Sequence, residues 1–162
     1  MSPTVERPGS ARPALVADVG GQLSRFLASA RAFTIEAAGR FHPDLPPAAF
    51  HVARWLLSFG PSRTSDIAEG VAMDRSAVSR LIDGLGAAGL VRVEVDPSDR
   101  RANSVRLTPA GRRQVTRALE WKSGVFNQRL ATWSDRDLEQ LARLLGKFND
   151  ARTNAVADRD SA

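Results

Sequence analysis

The chain has 162 residues and a mass of 17.5 kDa, enough for one domain with at most an appendage. Apolar residues make up 43% and charged residues 25%, near globular averages, which excludes wholesale disorder. Basic residues outnumber acidic ones 23 to 18, and all of them except Lys122 and Lys147 are arginine. That bias fits a GC-rich genome, and equally phosphate recognition, which favours the planar guanidinium; composition leaves both open. The absence of cysteine excludes disulfides, thiolate zinc sites, thiol nucleophiles and thiol redox switches. No apolar run nears the ~20 residues of a bilayer span, and no signal-peptide pattern is visible. A soluble, cytoplasmic protein without a membrane partner is expected.

Residues 1–13 carry Pro3, Pro8 and Pro13 and little apolar content, and read as a flexible arm. From about Leu15 a helical stripe begins, with Leu23, Phe26, Ala30, Phe33 and Ala37 at three- and four-residue steps. Gly20 and Gly21 weaken its start. Residues 42–46 break the helix, and Pro47 opens a second one that runs through Phe59 to the stop at Gly60-Pro61. A short third helix follows, with Thr64 as its expected N-cap.

Residues 64–83 carry the pattern of two helices crossing at a tight turn. Ala68 is the small residue where backbones approach. Ile67 and Val71 point inward from the first helix, Met73 from the turn, and Val78 and Leu81 from the second helix. Asp74 is placed to cap that second helix. The outer face is then Arg75, Ser76, Ala77, Ser79 and Arg80, which is short, hydroxylated and positive. Such a face suits entry into a major groove ~12 Å wide; an ordinary solvated helical hairpin has the same pattern.

Over 90–108 the period changes to two. Val91, Val93 and Val95 alternate with Arg92 and Glu94, and Val105 and Leu107 with Ser104 and Arg106, which predicts a hairpin. Its loop, Asp96 to Asn103, presents Arg100 and Arg101 close to Asp96 and Asp99. A hairpin directly after a helix-turn-helix is a wing, and a wing arginine gains from the negative potential of a narrow minor groove. Exposed ion pairs within the loop contribute only ~0–1 kcal/mol, so stability alone explains them poorly. Between Asp74 and Arg113 there are eight arginines and five acids, so three of the chain's net +5 charges fall in this segment. Thr108-Pro109 opens a long helix with Val115, Ala118, Leu119, Val125, Phe126 and Leu130 as its stripe. Ser134 and Asp137 suggest another cap, followed by Leu138, Leu141, Leu145 and Phe148. The small, polar residues 152–162 form a tail.

With its D-P-x-D-R-R and V-x-L-T-x-x-G motifs at Asp96–Gly111, the chain resembles the MarR family of bacterial transcription regulators. The resemblance runs from about Pro47 to Arg113, and the flanking helices fit by pattern. It implies a mainly α fold with a small β-hairpin (α+β): a winged helix-turn-helix over 47–108, with wing 90–108, inside a domain 14–151. Helices 14–41 and 109–151 would serve dimerisation. It implies no enzymatic activity and no cofactor or metal. The implied partners are a double-stranded DNA operator, a second copy of the chain, and a small aromatic or phenolic acid effector. Carried over by position, Thr64, Arg75, Ser76, Ala77, Ser79, Arg80, Arg100 and Arg101 contact DNA. Asp74 and Asp99 orient the wing, through an Asp74–Arg101 pair in particular. Gly84 and Gly86 depart from the family habit of charged side chains in the back half of the recognition helix.

The apolar stripes at the two ends of the chain exceed what a small winged domain needs to cover itself, which favours a twofold dimer. His51, Arg54 and Trp55 lie together on the second helix, where an arginine can grip a carboxylate and an indole can wall a pocket. Each also has an ordinary reading as core or surface. Two competing functions were weighed. An enzyme lacks support, since His42 and His51 have no evident nucleophile and there is no phosphate loop. A winged helix that binds only protein has little reason to keep Arg75, Arg80, Arg100 and Arg101.

Overall fold

Helix α1 runs from Ala11 to Phe41, so Pro13 sits in its first turn, where a missing N–H costs nothing. The computed structural model describes residues 11–95 and 103–157. The helix therefore begins inside the stretch expected to be an arm, and Gly20 and Gly21 lie within it. Only its C-terminal end is buried, through Ala37, Ala38 and Phe41. The expected stripe further up is not core: Phe26 is 56% exposed and its neighbour Leu27 64%.

Helix α2 (Pro47–Phe59) has Pro46 at its N-cap and Gly60 after its end. It is the centre of the core, burying Ala49, Phe50, Val52, Ala53 and Leu56. Removing a side chain such as Phe50 or Leu56 from water stabilises the fold by ~1.5–3 kcal/mol. Strand β1 (Ser62–Arg63) and helix α3 (Thr64–Gly70) follow at once. Arg63, not Thr64, is the N-cap of α3, and no side chain caps it. Arg63 is extended, paired with β3, and the helix begins directly after it, one residue too early for Thr64 to be the cap.

Helix α4 spans Arg75–Ala87, with Asp74 at the N-cap position but without a side-chain capping bond. Val78, Leu81, Ile82 and Leu85 are buried. Met73 and Val71, expected to be fully inward, are half-buried, because Val71 already lies beyond the end of α3. Helix α4 ends in two interlocked bonds, Gly89 N–H to Gly86 O at 2.9 Å and Leu90 N–H to Leu85 O at 2.9 Å. This is the Schellman arrangement. It needs a left-handed residue at 89, which glycine supplies with φ 69°.

Strands β2 (Val91–Val95) and β3 (Asn103–Leu107) form the expected hairpin, with Val93 opposite Val105. The sequence reading missed β1. It pairs antiparallel with β3, Ser62 opposite Val105, and makes a three-stranded sheet in the order β1-β3-β2. Two residues are too few to show a period.

Helix α5 (Pro109–Leu130) opens with Thr108 Oγ1 accepting from the Gly111 N–H at 3.0 Å, as expected of an N-cap. Val115 and Ala118 complete the core with α2, α3, α4 and the sheet. The residues up to Lys122 form one compact unit and those from Ser123 a second. In the second unit α6 (Asp135–Ala157) is capped by Ser134, whose hydroxyl accepts from the Asp137 N–H at 3.2 Å and donates to the Asp137 carboxylate at 2.6 Å. Among the described residues, no helix is long and apolar enough to cross a membrane.

Gly84 lies inside α4, and a Cβ there would meet only Leu45 Cδ2 at 3.4 Å, an ordinary contact. Gly84→Ala is therefore expected to stabilise the fold by ~0.5–1 kcal/mol through lower backbone entropy in the unfolded chain. Urea unfolding should show the midpoint rise at an unchanged slope.

Candidate nucleic-acid interface and adjoining cavity

Two surfaces of the first unit carry polar chemistry. The first is the N-terminal half of α4. Arg75, Ser76, Ser79 and Arg80 are exposed, and Ala77 is half-buried. They are there because Val78, Leu81 and Ile82 take the inward positions, leaving positions three and four residues apart on the outer face. No acidic residue lies in the first turn of α4, so the positive end of the helix dipole adds to the arginines. Thr64 is half-buried at the start of α3.

The stem of the wing adds charge beside it. Glu94 accepts from Arg92 Nε at 2.7 Å and from Arg106 Nη1 at 3.0 Å. Arg92 and Arg106 face each other across the strands, and the carboxylate bridges two like charges that would otherwise repel. Arg100, Arg101 and Asp99 lie outside the described residues, and with them the Asp74–Arg101 pair.

The second surface is a cavity of about 460 Å³ beside α2 and the end of α3. His51, Arg54, Trp55, Ser58 and Phe59 line it from α2, and Gly70 and Val71 close it. The three residues singled out on the second helix thus share one wall. Burial first, then the positive charges of Arg54 and Lys122, holds the His51 imidazole below its ordinary pKa. Burial and then Arg54 likewise lower that of Lys122, whose Nζ donates to Thr34 Oγ1 at 2.9 Å. Lys122 and Thr34 were missed from sequence because 88 residues separate them; only the rarity of lysine in this chain marked Lys122.

Trp55 packs on Phe59, with ring centroids 4.1 Å apart and planes at 36°. Its buried Nε1 has no hydrogen-bond partner among the described residues, an omission that costs ~1–3 kcal/mol. Among the described residues, no group of three or more His, Asp and Glu could hold a metal ion.

Two helices crossing at a tight turn, followed by a hairpin in a three-stranded sheet, make this a winged helix-turn-helix protein. Residues 44–102 match the MarR family model. An uncharacterized HTH-type transcriptional regulator, YxaD of Bacillus subtilis, is 28% identical over 121 residues, covering 75% of this chain and 85% of its own. The HTH-type transcriptional repressor NicR of Pseudomonas putida is 25% identical over 113 residues, covering 70% of this chain and 72% of its own. The solved structure of a MarR family protein from Bacillus stearothermophilus superposes with a TM-score of 0.75 at 21% identity, over 87% of this chain and 97% of that one. Residues 44–102 are thus similar to the MarR family, and the chain to HTH-type transcriptional regulators.

Because the folded imidazole titrates below the unfolded one, the unfolded chain binds the proton first as pH falls. The stability that His51 confers is complete above about pH 6.5, the ordinary histidine value, and is lost as pH falls toward the lowered one. His51→Asn is expected to flatten the dependence of melting temperature on pH in that window. Differential scanning fluorimetry across the acid limb reads this directly.

Proposed function

We propose that this protein is a MarR-family transcriptional regulator that binds double-stranded DNA sequence-specifically, as a homodimer on a pseudo-palindromic operator in the cytoplasm, and represses until a small aromatic or phenolic acid releases it. The observation that carries the reading is the outer face of α4. Arg75, Ser76, Ser79 and Arg80 stand together there, with small side chains between the arginines. Hydroxyls can bond base edges or phosphates, and a guanidinium can take guanine or phosphate in two parallel bonds. Ala77 offers a methyl to thymine, and Thr64 a hydroxyl to the backbone. Arg100 and Arg101 extend the grip to the minor groove, with Asp74 and Asp99 orienting the wing. Repression is the activity named for the NicR relative.

Exposed apolar surface supports dimerisation. Helix α1 leaves Leu15, Val16, Val19, Phe26 and Leu27 exposed, and the second unit leaves Trp133, Leu144, Leu145 and Phe148 exposed. Water-facing stripes of this extent mark association surfaces. A twofold partner would cover them and set two recognition helices ~34 Å apart. His51, Arg54 and Trp55 form the proposed effector wall, where Arg54 meets the carboxylate.

The DNA reading is tested by salt titration. Affinity should fall steeply with salt, with a logarithmic slope of ~0.9 per phosphate neutralised. Arg80→Ala should weaken binding about tenfold, and Ser76→Ala or Ser79→Ala should change base preference in a selected pool, each being a contact of ~1–3 kcal/mol. Unchanged affinity and preference in all three variants would falsify the docking. Light scattering should give twice the chain mass, and Phe26→Asp with Leu27→Asp should give monomers that no longer hold the operator.

A further inference from the structure

The indole of Trp55 occupies an unusual place. Its six-membered ring fills the space where a side chain at position 70 would begin, so the ring rests directly on the Gly70 backbone. Phe59 stacks against it one turn further along α2. The ring also walls the cavity, while its buried N–H meets no acceptor among the described residues. Packing alone holds it in this seat. An acceptor that reached the N–H would compete for the ring, because a buried donor without a partner is costly.

The seat lies on the backbone that aims the recognition helix. Gly70 is the last residue of α3. The turn that follows hangs from that same end: the N–H groups of Val71, Ala72 and Met73 donate to the carbonyls of Ile67, Glu69 and Ala68 at 2.9, 3.1 and 2.9 Å. Ala72 is left-handed, with φ 54°, a conformation that persists for a residue with a Cβ only when its surroundings impose it. Helix α4 begins three residues later, at Arg75. A ring seated on Gly70 is one of the surroundings that fix this turn.

We propose that Trp55 is a latch between the cavity and the recognition helix: seated on Gly70 it holds the turn in its DNA-reading arrangement, and anything that fills the seat or lifts the ring loosens the turn. The proposal rests on the DNA-binding reading above. Trp55 and Gly70 are positioning residues here, since neither belongs to the DNA-facing set.

The test uses the full chain labelled with 5-fluorotryptophan, whose three tryptophans give three fluorine resonances, with Trp55→Phe assigning one. Gly70→Ala places a methyl in the seat, the smallest occupant it can have. Alanine favours a helix over glycine, so a loss of function cannot be laid to helix propensity. The expected result is that the Trp55 resonance moves while those of Trp121 and Trp133 stay. Affinity for a duplex that the parent chain selects from random-sequence DNA should fall about tenfold. Trp55→Ala, which has no ring to displace, should cost a similar factor, and the double variant should do no worse than either single one, because both break the same contact. Trp55→Phe, which keeps a flat ring, should bind within about threefold of the parent chain. Should Gly70→Ala fail to fold by circular dichroism, Trp55→Ala and Trp55→Phe carry the comparison. Additive losses, or full affinity in Trp55→Ala, would overturn the latch and leave the DNA reading standing. A parent chain that selects no duplex would overturn both.

Discussion

The winged module is organised around the backbone of one residue, Leu90. Its N–H closes the end of α4 by donating to the Leu85 carbonyl, and its own carbonyl accepts from the Thr108 N–H at 3.0 Å. The Thr108 hydroxyl donates to the neighbouring Gly89 carbonyl at 2.8 Å and accepts from the Gly111 N–H that opens α5. The Leu90 side chain, 2% exposed, is core. Recognition helix, first wing strand and α5 therefore take their directions from one junction whose backbone polar groups are paired, as a buried backbone requires. Gly111 shows how close the approach is, since a Cβ there would fall on the Leu90 carbonyl.

That junction explains why the wing emerges at a fixed angle to α4. The Schellman end leaves the chain pointing straight into β2, and β3 returns it to Thr108 in a register that sets Val91 opposite Leu107. Strand β1, bonded to the far edge of β3, ties the start of α3 to the same sheet. The helix-turn-helix is thus held at both ends, by β1 before α3 and by β2 after α4. Within that frame Trp55 leans on Gly70, the last residue of α3 before the turn. The cavity is lined from α2 and the end of α3, and the turn that leaves that end leads into α4.

The electrostatics divide along the same line. Beside the cavity, burial first and then the charges of Arg54 and Lys122 hold the His51 imidazole below its ordinary pKa. An anion there would relieve the repulsion, which suits an acid as effector. On the wing stem the balance is struck internally, since Glu94 spends its two oxygens on Arg92 and Arg106. The face of α4 has no such partner in its first turn, so its charge is directed outward.

The sequence by itself determined the order of every described element except β1, because their signals are local. Pro47, Gly60 and Thr108-Pro109 punctuate helices wherever they occur, and a two-residue alternation makes strands. It also determined the outer face of α4, since a 3.6-residue period fixes what points away once Val78 and Leu81 point in. Tertiary structure alone decided the rest, because it turns on contacts between residues far apart in the chain. Strand β1 exists only because β3 comes to lie beside it, and that pairing displaces the expected cap at Thr64. Lys122 enters the cavity's field only because α5 packs near α2. The Gly111 of the V-x-L-T-x-x-G motif could be read as a signature, but its reason is the Leu90 carbonyl 21 positions earlier in the chain. Gly70 carried no signal in the sequence at all. Its meaning is the indole that rests on it, brought there by a helix one turn-and-strand away.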